Sequence, residues 1–418
     1  MLLIKNIGQL VTVGGNQPKS GSEMKELNII EDAYLVAEGS RIVEFGPSQN
    51  HKDTKHYEEV IDAEKKVVLP GFVDPHTHLV YGGDRSYEFK MRLRGVPYID
   101  ILKNGGGILS TVQATRQASS DQLYEASNKR LDRFLSYGVT TVEGKSGYGL
   151  DKKTELKQLA IMKRLNKRED IDLVSTFLGA HAVPKEYKEK SGKYIDYVIK
   201  EVMPEVADKK LAEFCDVFCD EGAFSYQESE KLLRAAEKMG LKLKIHADEM
   251  VNTQAAQLAG KLKAVSAEHL LKASEEGLKS LRENNVMAVL LPLTAFSLQE
   301  EYADAKKMIE MDIPVALATD LNPGSSYSQS IPLLLSLAVM YMDMKPEEAI
   351  TALTINAAAA LKREKEIGSI AEGKKADLIM IDAPNYNHLF YNFGVNLVEK
   401  VFKNGKLVFD NSLAKRKS

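Results

Sequence analysis

Pro70-Gly71-Phe72-Val73-Asp74-Pro75-His76-Thr77-His78 is the stretch that decides how the remaining residues are read. Val67, Val68, Leu69, Phe72 and Val73 form an apolar run that reads as the end of a buried strand. His76 and His78 stand two apart, and the period of two in an extended backbone places both imidazoles on one face. Two imidazoles converging from one strand end are half of a divalent-metal site, since imidazole suits zinc, iron and nickel. Taken alone, the pair fits better as two exposed or hydrogen-bonded histidines at a strand end. The remainder of the chain separates these readings.

The chain has 418 residues, 44% hydrophobic and 28% charged, with a formal net charge of -3. Such a length accommodates two or three domains of about 150 residues, or one α/β barrel of about 250 residues with an addition. Charges of both signs are scattered, which gives no electrostatic footprint for nucleic acid or an anionic membrane. Cys215 and Cys219 make neither a disulfide framework nor a redox pair; they fit small buried apolar roles in a reducing cytoplasm. The N-terminus lacks the basic start and long apolar core of a signal peptide. The apolar stretch 331–342 is shorter than the ~20 residues of a membrane span and reads as a buried helix.

Residues 1–69 read as short strands and turns, with β-rich runs at 10–13, 34–37, 41–45 and 67–69. The C-terminal end repeats that style at 376–381 and 398–409, where Asn404-Gly405 is a hairpin turn. These two ends predict one small β-sandwich domain, residues 1–69 with 365–418, around a central domain of residues 70–364. The alternative is two unrelated edge hairpins. Within the central part, strands at 72–77, 139–143, 172–178, 214–218, 241–245, 264–267, 286–291 and 314–318 alternate with helical segments. Ser225 and Glu228 form a capping box, with Leu232, Leu233, Ala236 and Met239 as the buried stripe and Gly240 as the stop. Ser297 and Glu300 are a second candidate box, and a helix over 123–137 ends at Gly138. Eight strands each followed by a helix predict an α/β fold, a closed (β/α)8 barrel of the TIM type. No Gly-x-Gly-x-x-Gly loop follows any strand to favour an open doubly wound sheet, and Gly105-Gly106-Gly107 reads as a loop hinge.

Active sites of such barrels lie at the C-terminal ends of the strands. Those ends carry His76 and His78, then Glu143, Lys145 and Tyr148, then His181, then Asp220 and Glu221. The later strands add His246, Asp248 and Glu249, then Glu268 and His269, then Thr294, and finally Asp320 and Asn322. Five of the 8 histidines therefore fall on one rim, while His51, His56 and His388 lie in the flanking β-rich segments. A single core histidine is ordinarily structural, but five on one rim point to a site.

At this level of detail the chain resembles the amidohydrolase superfamily, and within it the imidazolonepropionase family. The resemblance is carried by residues 70–78, Gly-Gly-Asp-Arg (82–85), Gly-Gly-Gly-Ile-Leu-Ser-Thr-Val (105–112) and Val-Glu-Gly-Lys-Ser-Gly-Tyr-Gly-Leu (142–150). Leu-Gly-Ala-His-Ala-Val-Pro (178–184), His-Ala-Asp-Glu (246–249), Ala-Thr-Asp-Leu-Asn-Pro-Gly-Ser (318–325) and residues 368–378 extend it over nearly the whole chain. Leu293 departs from the pattern, which has glycine there.

The resemblance implies one divalent ion, Zn2+ or Fe2+, on His76, His78, His246 and Asp320, a ligand set that leaves room for water. No lysine stands at the fourth strand end, where binuclear relatives place a bridging one, which favours a single metal. The implied reaction is hydrolytic opening of the cyclic amide 4-imidazolone-5-propanoate to N-formimidoyl-L-glutamate, in histidine degradation. Asp320 would accept a proton, His269 would stabilise the developing oxyanion, and Glu249 would carry a proton to the ring nitrogen. Arg85 would pair with the propanoate, with Tyr98, Tyr148, His181, Glu249, Asn322, Gly324 and Ser325 completing the substrate pocket. A homodimer in the cytoplasm, with a small-molecule substrate and no nucleic-acid or membrane partner, is the matching expectation. Two other readings stay open. A deaminase of a heterocyclic base would use the same metal residues but give Arg85 and His181 no evident role, and a metal-free scaffold or binding protein would not need the four ligands.

Overall fold

The computed structural model describes residues 1–52, 56–96, 100 and 105–412. Five strands precede the barrel: β1 (Leu2–Val11), β2 (Ile29–Glu38), β3 (Arg41–Pro47), β4 (Glu59–Asp62) and β5 (Val67–Pro70). The barrel strands are β6 (Phe72–Asp74), β7 (Val139–Lys145), β8 (Asp172–Ala180), β9 (Phe214–Cys219), β10 (Lys242–Ala247), β11 (Ser266–His269), β12 (Met287–Leu290) and β13 (Val315–Leu317). β14 (Leu378–Ile381), β15 (Val398–Lys403) and β16 (Lys406–Asp410) follow.

All eight expected barrel strands form, and they pair in parallel from β6 to β13 in sequence order. The ends of the sheet meet through a bridge between Thr77 and Leu321. The Asp320 N–H donates to the His76 carbonyl at 3.0 Å and the His78 N–H to the Leu321 carbonyl at 2.8 Å. The histidine pair and the late aspartate are thus the seam that closes the barrel. Along each strand the period of two separates an outward apolar row from an inward row. On β9, Cys215, Val217 and Cys219 belong to the large core shared with the helices, while Asp216 turns the other way, toward the barrel interior. On β10, Leu243 and Ile245 take the outward role, and Lys244 and His246 the inward one. Val73, Val174, Phe214, Val289 and Ala316 fill an apolar inner layer, against which Ala357 to Ala360 of the helix Ile355–Ala360 pack.

The chain ends join in a second eight-stranded sheet, ordered β16-β15-β14-β5-β1-β2-β3 with β4 beside β1. Alternation again divides the faces. Val67, Leu69, Ile379 and Ile381 join the barrel-side core, whereas Val68, Leu378, Met380, Leu35 and Phe402 form a separate core. That second core is enclosed because the sheet curls over: a Cβ at Gly405, in the β15–β16 turn, would lie 2.5 Å from the Gly39 carbonyl oxygen in the β2–β3 turn. Only glycine fits there.

The helix Tyr226–Lys238 starts at the expected box, with Ser225 and Glu228 reciprocally bonded, and Gly240 follows at φ +82°. A serine cap of this kind stabilises by about 1 kcal/mol. The helix Ser120–Ser136 starts at an unexpected box, Ser119 with Gln122, and is followed by Gly138 at φ +81°. The box expected at Ser297 and Glu300 does not form. Pro292 nucleates a helix at Pro292–Leu298, which leaves Ser297 in its last turn. The glycine triplet leads into the helix Ile108–Gln117, with Gly107 as its N-cap at φ +82°. The apolar stretch forms the buried helix Ile331–Tyr341. Among the described residues, no helix is long and apolar enough to cross a membrane.

Candidate active site

Three imidazoles meet at the C-terminal mouth of the barrel. The ligand atoms of His76, His78 and His246 lie within 4.8 Å of one another. Asp320 Oδ1 is 3.4 Å from His76 Nε2 and 3.5 Å from His78 Nε2. The other carboxylate oxygen of Asp320 is fixed by the Thr294 hydroxyl at 2.6 Å. His76 Nε2, His246 Nε2 and Asp320 Oδ1 are buried and have no hydrogen-bond partner among the described residues. Orphaned buried polar atoms are costly, at roughly 1–3 kcal/mol each, and three that converge fit a cation. The donor chemistry, three imidazoles and one carboxylate, suits zinc or ferrous iron.

A charged layer directly beneath orients these rings. Glu143, Lys145, Asp216, Lys244 and Glu268 are all fully buried in the barrel interior. Lys145 Nζ lies 2.8 Å from Asp216, 2.9 Å from Glu268 and 3.1 Å from Glu143. Lys244 Nζ lies 3.0 Å from Glu143 and 3.3 Å from Glu268. Glu268 Oε2 sits 2.6 Å from His76 Nδ1, and Asp216 Oδ2 sits 2.9 Å from His246 Nδ1. Both contacts are ion-pair close but off the line of a hydrogen bond. An acidic partner on Nδ1 turns Nε2 toward the other ligands and raises its basicity. Burial alone would depress His76, but Glu268 and Asp320 together outweigh it and hold the ring up to about 9. His78, buried among His181, His76 and His246, stays well below the ordinary histidine range. A positive charge is therefore favoured at His76, whether a proton or a metal ion. Asp216, His246 and Glu268 are a second group with metal-ligand spacing, and the Lys145 ammonium already lies against both of its carboxylates.

Above the histidines opens a cavity of about 660 Å3. His78, His246 and Asp320 line it, and so do Arg85, Tyr148, His181, Glu249, His269, Asn322, Gly324 and Ser325. His76 lies just below, and Tyr98 falls outside the described residues. His181 stacks on His78 with centroids 4.7 Å apart and its Nδ1 3.2 Å from the Gly147 carbonyl oxygen. Burial and the neighbouring His246 push it down to about 3, so it is neutral. Tyr148, buried and close to Asp320, has its hydroxyl held well above the ordinary range. Glu249 Oε1 is 3.5 Å from His269 Nδ1. Burial, then the charges of Asp320 and Asp220, push the Glu249 carboxyl up to about 8. His269 and Asp320 hold positive φ, 71° and 52°, a strained backbone of the kind that clusters at functional sites.

Asn322 lines the cavity and also braces its own turn. Its amide oxygen accepts from the Gly324 and Ser325 N–H groups at 2.8 Å each, and its nitrogen donates to the Asp320 carbonyl at 2.7 Å and to Ser325 Oγ at 3.0 Å. The side chain is committed to folding the 322–325 turn. Leu293 is buried against a second, neighbouring cavity and does not line this one. Sequence reading missed Asp216 and Lys244 beneath the site, and Glu88 and Arg92 at its edge. A charged residue inside an otherwise apolar strand was the available signal for the first pair, and the 85/88/92 spacing on one helical face for the second.

Comparison with known proteins agrees with this architecture. Residues 67–408 match the family described as the amidohydrolase family. An imidazolonepropionase of Clostridium tetani is 52% identical over 98% of this chain and 99% of its own. The Alkaliphilus oremlandii imidazolonepropionase is 53% identical over 97% of each chain. Among solved structures, an adenosine deaminase from Xanthomonas campestris with bound zinc superposes with a TM-score of 0.72 at 18% identity, over 99% of this chain and 95% of its own. An atrazine chlorohydrolase variant from Arthrobacter aurescens, complexed with zinc and atraton, gives 0.72 at 16% identity, over 98% and 96%. At such identities these structures establish the fold alone. The near full-length identity to the curated relatives goes further: the chain belongs to the imidazolonepropionase family of the amidohydrolases.

Proposed function

We propose that the cavity hydrolyses the cyclic amide of 4-imidazolone-5-propanoate to N-formimidoyl-L-glutamate, with one divalent ion held by His76, His78, His246 and Asp320. The observation that carries this reading is the convergence of orphaned ligand atoms beneath a cavity that also presents Arg85. Zinc or ferrous iron is the ion this donor set favours. Charge supports a single one. Three carboxylates and two ammoniums form the buried layer, and with Asp320 they sum to minus two, which one divalent ion balances. Lys145 fills the neighbouring acidic group where a second ion would sit.

A bound divalent ion would lower the pKa of its water toward ~7 and so supply a nucleophile at neutral pH. Asp320, with one carboxylate oxygen fixed by Thr294, would accept the proton of that water. His269, kept neutral by burial, donates to the oxyanion forming at the ring carbonyl. Glu249, whose carboxyl is pushed up by burial and by the charges of Asp320 and Asp220, would give its proton to the leaving ring nitrogen. Arg85 holds the propanoate, and His181 and Tyr148 wall the pocket. The anionic tail is what gives Arg85 a purpose, and it favours this substrate over an uncharged base.

The reading extends to a homodimer in the cytoplasm, without nucleic-acid or membrane partners. It also extends to a chain division into a barrel, residues 70–364, and a small domain, residues 1–69 with 365–418. The apolar core built from the chain ends alone supports the division. Purified protein should consume imidazolone propanoate in an absorbance assay, lose that activity on chelation and regain it with added zinc or iron. Turnover that survives exhaustive chelation sinks the metal assignment, and absence of turnover in metal-replete protein sinks the substrate.

A further inference from the structure

We propose that Glu88 is a positioning residue for the carboxylate tail of the substrate, acting through Arg85; this rests on the reading of the cavity given above. Arg85 caps the helix Ser86–Leu93, and Glu88 lies one turn on, on the same face. Arg85 Nε and Nη2 both donate to Glu88 Oε2, at 2.9 Å and 2.7 Å. This contact occupies one side of the guanidinium, and among the described residues no hydrogen bond engages its Nη1–Nη2 end, the edge that matches a carboxylate with two parallel hydrogen bonds. The free end approaches the 322–325 turn so closely that a Cβ at Gly324 would lie 2.2 Å from Arg85 Nη1.

The second oxygen of Glu88 anchors the arrangement. Glu88 Oε1 accepts from the Gly107 N–H at 3.0 Å and the Ser110 hydroxyl at 3.3 Å, at the N-terminus of the helix Ile108–Gln117. A carboxylate is favoured at a helix N-terminus. Glu88 is only 7% exposed, so these partners take the place of water around its oxygens. The glycine-triplet motif thereby gains a role: Gly107, at φ +82°, turns its N–H onto the group that aims Arg85. Arg92, one turn beyond Glu88, donates to the Gly324 carbonyl at 3.3 Å and holds the facing turn. A pinned arginine meets the tail at one fixed place. A freely swivelling one would have to be ordered at each binding event, at a cost in affinity.

Glu88→Gln tests this. Glutamine has one acceptor oxygen where two are needed, so one set of donors faces an amide N–H. The expected result is a KM raised by about ten- to a hundredfold, with kcat changed by less than about threefold. Inhibition by imidazole-4-propanoate should weaken in step, while inhibition by its carboxamide, which lacks the charge, should not move. Added to Arg85→Met, the change should have no further effect on KM, since Glu88 acts through that arginine. Glu88→Asp, one methylene short of spanning both partners, should repeat the pattern if the glutamine variant folds poorly. A lower melting temperature with both inhibition constants unchanged would overturn the proposal. So would a KM loss in Glu88→Gln that adds in full to that of Arg85→Met. Failure of the wild-type protein to turn over the substrate would instead overturn the functional reading itself.

Discussion

Glu249→Gln separates proton transfer from metal binding more cleanly than any other single change. The amide keeps the size of the side chain and its reach toward His269, 3.5 Å away. The main chain should not move, because the Glu249 N–H is held by Asp220 at 2.9 Å. What disappears is an acid whose carboxyl burial, Asp320 and Asp220 push up to about 8, from an ordinary 4.5. At pH 7 such a group is roughly 90% protonated, whereas an ordinary glutamate is almost wholly ionised. Loss of a positioned general acid should cut kcat by about 10²- to 10⁴-fold, or roughly 3–5 kcal/mol of barrier, with metal content unchanged. Stability should move the other way. The folded state holds this proton more tightly than the unfolded chain, so wild-type stability falls as pH rises from about 4.5 to 8. The glutamine variant escapes that loss. Its melting temperature, measured on chelated protein so that no cation draws the carboxyl back down, should exceed wild type by a margin that opens between about pH 5 and 8 and is level above. Elemental analysis, turnover and a melting series on one variant decide the matter. Full turnover with full metal refutes the proton role, loss of metal makes Glu249 a ligand, and a pH-independent melting difference refutes the raised carboxyl.

Arg85→Ala should raise KM by about ten- to a hundredfold, more than it lowers kcat, because a charge-assisted pair to the tail is worth roughly 1.5–3 kcal/mol; an unchanged KM rejects the pairing. Lys145→Ala leaves Glu143 and Glu268 sharing the Lys244 ammonium and Asp216 against His246, and should destabilise chelated protein by about 3–5 kcal/mol. Excess zinc should restore part of that loss with a stoichiometry above one per chain, and a stoichiometry fixed at one would argue against Lys145 as the occupant of a second cation position. Chelation of the wild-type protein should lower its melting temperature as well as end turnover, since an ion present at ~1,000 times its dissociation constant contributes about 4 kcal/mol; calorimetry with and without chelator reads this directly.

The rim of the site was legible because a barrel sends the residues at its strand ends to one mouth, so spacing along the chain becomes proximity in space. His76, His78, His246, His269 and Asp320 could be placed that way. The layer below could not. Lys242 and Lys244 share one phase of the alternation in β10, yet Lys242 is exposed and Lys244 fully buried. Only the depth along the barrel distinguishes them, and alternation carries no depth. Asp216, between Cys215 and Val217, could be read as a solvated charge on the same grounds. Local signals succeeded where nothing competed, as at Ser225, and failed at Ser297, where Pro292 had already started a helix five residues earlier. Asn322 was recognisable as part of the site, but its bonds to its own turn depend on backbone geometry that the Asn-Pro-Gly-Ser string does not reveal. The placement of Tyr98 lies outside the described residues.

A common device fixes the loops around the cavity, and it explains why substrate capture and metal binding can be perturbed apart. Glu155, 1% exposed, accepts the N–H groups of Gly147, Gly149 and Leu150 at 3.1, 2.8 and 2.9 Å, and so holds the loop of Tyr148. Asp220 accepts those of Glu249, Met250 and Val251. Asp248 takes those of Thr253, Ala255 and Ala256, Asn322 those of Gly324 and Ser325, and Glu88 that of Gly107. A buried N–H without an acceptor costs roughly 1–3 kcal/mol, and water could meet that need only while the cavity stays wet. An internal carboxylate meets it whether the cavity holds water or substrate. The loops therefore keep one geometry as water leaves, and Arg85, Glu249 and Tyr148 face the substrate already ordered. The residues proposed to hold the metal lie on β10 and at the seam of the barrel, where His76 and His246 rest on the charged layer, while Asn322 reaches the Asp320 carbonyl. Removing the Glu88 or Glu155 anchor should consequently cost affinity for the substrate while the proposed ligand set, supported from below, still takes up its ion.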